Sequence, residues 1–129
     1  MFMTTPLVTS LKLKRKSRIL EVGFSDGSLH QMTCEFLRVH SPSAEVHGHG
    51  TPVLVTHKKN VNISAIEPVG NYAVKLVFDD GHDTGLFSWQ VLFDLATHQT
   101  ELWPQYLARL RAAKGSREPL IAMNIKYSD

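Results

Sequence analysis

Phe24-Ser25-Asp26-Gly27 followed by Thr33, and Phe78-Asp79-Asp80-Gly81 followed by Ser88, are the two stretches that decide the fold. In each, an aromatic residue closes an apolar run, and a turn ends on a glycine free to take positive φ. Ile19 to Phe24 reads as a strand, and Ser28 to about Met32 as its returning partner. Thr33 then caps a short helix through Val39. In the second copy, Tyr72 to Phe78 is a strand with Val74, Leu76 and Phe78 on one face. Gly85 to Phe87 leads out, and Ser88 caps a helix whose Trp89, Leu92, Phe93 and Ala96 recur at i, i+3, i+4 and i+7. The echo is too short to establish a duplicated domain. It does predict hairpins that run into helices, hence an α+β fold: an antiparallel β-sheet with helices packed on one face, in two layers and a single domain.

Outward from these stretches the pattern is looser. Residues 1–10 carry little periodicity and read as a flexible leader, residues 11–114 as the domain, and residues 115–129 as a C-terminal tail in which Leu120, Ile121 and Met123 either dock or stay mobile. Ser41 to Pro52 is a loop, Val53 to Thr56 a candidate short strand, and Val61, Ile63 and Ile66 mark another strand that ends near Pro68. After a break over Thr97 to Thr100, a further helix carries Trp103, Tyr106, Leu107 and Leu110. It is expected to hold Pro104 in its first turn and to stop at Lys114-Gly115.

The chain has 129 residues, with 14 Lys plus Arg against 12 Asp plus Glu, seven His and one Cys. This is the composition and size of one globular domain able to build a core unaided. A net charge of +2 makes no general case for nucleic-acid or membrane attraction. One cysteine excludes an internal disulfide framework and an all-cysteine zinc site, and it fits a reducing compartment. No apolar run reaches the ~20 residues of a membrane helix, and the basic residues stand on the wrong side of the leader for a secretory signal. A cytoplasmic location is expected. Lys12, Lys14, Lys16 and Arg18 would share one face of a strand. Such a face is either a dock for an acidic partner or a solvated edge that discourages strand addition.

Asn71-Tyr72-Ala73-Val74 with Phe78-Asp79-Asp80-Gly81-His82-Asp83-Thr84-Gly85-Leu86-Phe87-Ser88-Trp89, and upstream Phe36-Leu37-Arg38-Val39-His40-Ser41-Pro42-Ser43-Ala44-Glu45-Val46, form a longer signature. Over about residues 11–112 it resembles the domain at the N-terminus of gamma-butyrobetaine and trimethyllysine dioxygenases. That domain also stands alone in bacterial proteins as a domain of unknown function, and a similar module is appended to carriers of the iron–sulfur assembly type. The resemblance implies a small zinc module whose ligands are a Cys-x-Cys-x-x-Cys run and the histidine of the Asp-Gly-His turn. Here the run falls on Ser41, Ser43 and Val46, and His82 alone matches the ligand set. Three thiolates are gone, so the resemblance carries no zinc site over intact, and no cofactor is expected. The alternative is a metal-binding domain, for zinc or iron, that uses His82 with the loop pair His47 and His49. A bland role for His82, bonding loop backbone, is the reading preferred.

The resemblance does not carry oxygenase activity. No histidine is followed two residues later by Asp or Glu, and no phosphate-binding glycine loop is present. Cys34 at a helix start invites a lowered pKa, but its neighbours supply no cation. Arg38 points to either a carboxylate or phosphate ligand or an internal pair with Asp80 or Asp83. Arg38, His40, Asp80 and Asp83 are therefore the candidate ligand or partner contacts. The expectation is a non-catalytic interaction or accessory domain with a protein partner, no membrane partner and no specific nucleic acid.

Overall fold

The structure, a computed structural model, describes residues 5–42, 54–81 and 85–119. Its elements run β1 (Val8–Lys14), β2 (Ile19–Phe24), β3 (Leu29–Thr33), α1 (Cys34–Val39), β4 (Ile63–Val69), β5 (Ala73–Phe78), β6 (Gly85–Ser88), α2 (Trp89–Thr97) and α3 (Gln99–Ala112). The class is α+β. The strands form two three-stranded antiparallel sheets, β1-β2-β3 and β4-β5-β6, rather than one. Local hairpin signals specify which neighbours pair. They do not specify whether the third strand of one set joins the first strand of the next.

The sequence echo extends through both sheets. In each, the first strand carries an irregularity where it meets the turn-proximal phenylalanine: Val8 pairs with Phe24 and Ser10 with Gly23, while Ile63 pairs with Phe78 and Ala65 with Val77. Gly27 and Gly81 then turn the chain at φ of 88° and 89°, conformations that cost a side-chain-bearing residue dearly. The capping residue pairs with the first residue of the central strand in both copies, Thr33 with Ile19 and Ser88 with Ala73. Each caps as expected: Thr33 Oγ1 accepts from the Phe36 amide at 3.0 Å, and Ser88 Oγ accepts from the Val91 amide at 3.1 Å. The first helical amide donates to the carbonyl before the central strand, Cys34 to Arg18 at 2.8 Å and Trp89 to Tyr72 at 3.0 Å. A helix is thereby stapled to the open end of each hairpin.

Both units feed one core. Leu20 and Val22 from β2, Met32 from β3, Leu37 from α1, Leu76 from β5, Phe87 from β6 and Leu92 from α2 are fully shielded from solvent. Burying each such side chain contributes roughly 1.5–3 kcal/mol relative to exposure. A smaller cluster of Val39, Tyr106 and Leu110, flanked by Leu54 and Val55, seats α3 against the end of α1. The Tyr106 hydroxyl donates to the Val55 carbonyl at 2.7 Å there.

Several local expectations shift. Strand β1 begins at Val8, inside the stretch read as leader, because Ser25 and Leu7 already exchange hydrogen bonds. It ends at Lys14, so Lys16 and Arg18 lie in the following turn and the four-residue basic face does not form. β1 is nonetheless a sheet edge. Residues 54–56 form no strand. The break between α2 and α3 narrows to His98, which places Pro104 sixth in α3, beyond its first turn. At the far end of α3 the left-handed residue is Lys114, at φ 55°, not Gly115. Gly115 instead sits in close quarters: a Cβ there would stand 3.1 Å from Leu110 Cδ2 and 3.3 Å from Thr56 Cγ2. The start of the tail docks, with the His57 amide donating to the Ser116 carbonyl at 2.8 Å and the Lys59 amide to the Arg117 carbonyl at 2.9 Å. Leu120, Ile121 and Met123 lie outside the described residues.

Candidate functional site

Helix α1 is buried over all six residues, so its two charged side chains, Glu35 and Arg38, need partners. Arg38 finds the internal one: its Nε stands 2.8 Å from Asp80 Oδ2, and Lys58 Nζ reaches the same oxygen at 2.7 Å. Two cations thus share one carboxylate. The Arg38 Nη1 is buried and has no hydrogen-bond partner among the described residues. His40 turns its ring inward, with Nδ1 2.9 Å from the Phe36 carbonyl and its ring centroid 4.5 Å from that of Phe36. Asp83, His47, His49 and His82 lie outside the described residues. Among the described residues no three of His, Cys, Asp and Glu come together.

A three-thiolate zinc site does not fit this chain. Ser41, at one ligand position, is fully buried, and its hydroxyl lies 3.2 Å from where a Cβ on Gly85 would stand. A serine hydroxyl is a poor structural zinc ligand, and Val46 offers no donor at all. Cys34 does not substitute. It belongs to the core, where burial pushes its thiol up from 9.0 to about 11. The helix start that invited a lowered value is outweighed by desolvation.

Among the described residues, a concavity lies at the start of α1, beside α3 and the docked tail. It encloses about 530 Å³ and is lined by Glu35, Phe36, Thr100, Trp103, Pro104 and Arg117, among others. Glu35 is 4% exposed, and Arg117 satisfies it bidentately: Nε reaches Oε2 at 2.8 Å and Nη2 reaches Oε1 at 2.7 Å. The Glu35 hydrogen bond raises the Arg117 guanidinium above its ordinary pKa. The guanidinium also lies over Trp103, 5.1 Å from the ring centroid. Trp103 packs against Tyr106 at 5.3 Å and Phe36 at 6.4 Å, a continuous aromatic wall. Burial, followed by the Glu35 charge, pushes the Tyr106 phenol up to about 12, keeping it neutral. Pro104 has no N–H for the Thr100 carbonyl one turn earlier, and both residues line the cleft.

This arrangement suits binding. It presents an aromatic wall and a fixed guanidinium, with Glu35 and Arg117 already spent on each other. Glu35, Trp103 and Arg117 were not candidates from sequence. Trp103 was legible only as part of a helix face, and Arg117 sat in the expected tail, 82 residues from its partner. A glutamate directly after a helix start, inside an apolar run, was the one available hint.

The sequence matches the family described as "Gamma-butyrobetaine hydroxylase-like, N-terminal" over residues 11–93. No curated protein matches. Among solved structures, one NMR solution structure is 74% identical, with TM-score 0.79, over 97% of this chain and 95% of that one. A second NMR structure is 44% identical, with TM-score 0.80, over 97% and 100%. A crystal structure from Acidithiobacillus ferrooxidans, of a protein with unknown function in the DUF971 family, is 38% identical with TM-score 0.60, over 70% of this chain and 92% of that one.

Proposed function

Because the chain belongs to the gamma-butyrobetaine hydroxylase-like N-terminal family, and because the cleft beside Trp103 joins aromatic side chains to a fixed guanidinium, we propose that it is a non-catalytic interaction module. Its partner is a protein, and its contact surface is the cleft between α1 and α3. The observation that carries this reading is the Arg117 guanidinium, fixed between a buried carboxylate and the face of Trp103 at the mouth of an apolar cleft. Rigid aromatic and arginine side chains in a concave site are the composition of protein-contact hot spots. The protonated Cys34 thiol supports a non-catalytic role as well, since a neutral buried thiol is a poor nucleophile.

Affinity capture with the full chain tests this reading. A partner is expected to be retained by the native chain and lost with Thr100→Arg, which fills the cleft from an exposed rim position without touching the core. A partner held equally by both forms, or a demonstrated turnover by the purified chain, contradicts it.

A further inference from the structure

The cleft does not end at Arg117. On the other side of the Glu35–Arg117 bridge lies a second depression of about 220 Å³, lined by Ser17, Arg18, Lys59 and Asn60 and sharing Thr33, Glu35 and Arg117 with the first. The two adjoin at these shared residues, and their chemistry differs. The first half is aromatic, with Phe36, Trp103 and Pro104. The second is cationic: it presents Arg18, Lys59 and Arg117 against one carboxylate, Glu35, whose two oxygens are both held by Arg117.

Of the two remaining cations, one is placed by backbone and the other by an exposed acid. Arg18 stands in the β1–β2 turn at φ 57°, and its Nε donates to the Asn60 carbonyl at 3.0 Å. Lys59 meets Glu118 at 3.0 Å, but both side chains are largely open to solvent, 45% and 67% exposed. Such an exposed pair is worth ~1 kcal/mol or less, so an incoming carboxylate can take the lysine with little loss.

From this juxtaposition we infer that the groove takes an extended acidic peptide segment of a partner protein. An aromatic or aliphatic anchor lies in the Trp103 half, and an Asp or Glu a few residues along meets Arg18 and Lys59. The inference rests on the cleft being the contact surface and adds the chemistry of what fills it.

The test is selection of a displayed random-peptide library on the full chain, followed by affinity measurement with the synthetic winners. Enriched peptides are expected to carry an apolar anchor with a nearby acid. Thr100→Arg is expected to weaken them about thirtyfold, and Arg18→Gln and Lys59→Gln about threefold each. Added salt should weaken binding further. Lys59→Gln alone suffices if Arg18→Gln, which breaks the bond to Asn60, does not fold. Winners that depend on Thr100 but lack an acid, and ignore Lys59→Gln, overturn the acidic-segment inference and leave the cleft reading standing. No enrichment, or winners indifferent to Thr100→Arg, overturns both. A thymidine oligonucleotide that binds at Arg18 and Lys59 and displaces the winners assigns the basic half to nucleic acid and overturns the inference.

Discussion

Arg117 holds Glu35 with two hydrogen bonds, at 2.8 and 2.7 Å, across 82 residues of sequence. Glu35 has almost no contact with water, so its oxygens rely on that grip for their hydrogen bonds. Arg117→Ala leaves a buried carboxylate unpaired and is expected to cost about 3 kcal/mol, read as a lower urea midpoint. Glu35→Gln in the same background removes the stranded charge and should recover much of the loss. If the single variant loses nothing, Glu35 is solvated in the native state and the bridge is not structural.

The two capping hydroxyls occupy equivalent places in the two sheet–helix units, Thr33 over Phe36 and Ser88 over Val91. Thr33→Ala and Ser88→Ala should each cost about 1 kcal/mol in denaturant unfolding. Their effects should add, because the caps share no partner. One silent variant would break the equivalence of the units.

Both caps, both hairpin turns and the helix faces were legible in sequence because each depends on residues a few positions apart. The bridge from Arg117 to Glu35 was not, since nothing local distinguishes a tail arginine that folds back from one that does not. The division into two sheets escaped for a related reason: the pairing of hairpins with one another is a long-range choice. At the end of α3 the local rule misled. A glycine after a basic turn suggested a left-handed stop, yet Lys114 takes that conformation while Gly115 is kept small by Leu110 and Thr56.

That arrangement sets opposite signs for two neighbouring substitutions. Lys114→Gly relieves a positive φ and should stabilise by about 0.5–1 kcal/mol. Gly115→Ala should destabilise, because the added methyl meets Leu110 and Thr56 inside ordinary contact distance. Thermal unfolding of the two variants checks both signs.

Alkaline pH should weaken the fold in a defined window. Burial raises Cys34 from 9.0 to about 11 and Tyr106 from 10.0 to about 12. Above its ordinary value each group ionises in the unfolded chain while staying protonated in the folded one, so the unfolded state gains. These contributions are intact below about pH 9. They are lost as pH rises from 9 to 11 for the thiol and from 10 to 12 for the phenol. Tyr106→Phe should flatten the upper part of the profile. The same burial predicts that a thiol reagent finds no reactive cysteine in the native chain and one in denaturant.

The proposed contact surface for a partner is the cleft beside Trp103. It is tested most directly by placing a photo-crosslinking residue at Thr100, on the cleft rim, and separately at Asp26. Asp26 is exposed in the β2–β3 turn, at the opposite end of the hairpin from Thr33. A discrete protein adduct is expected from position 100, absent from position 26 and abolished by excess of a library-selected cleft peptide. Adducts of equal yield from both positions, or none from position 100, would contradict it.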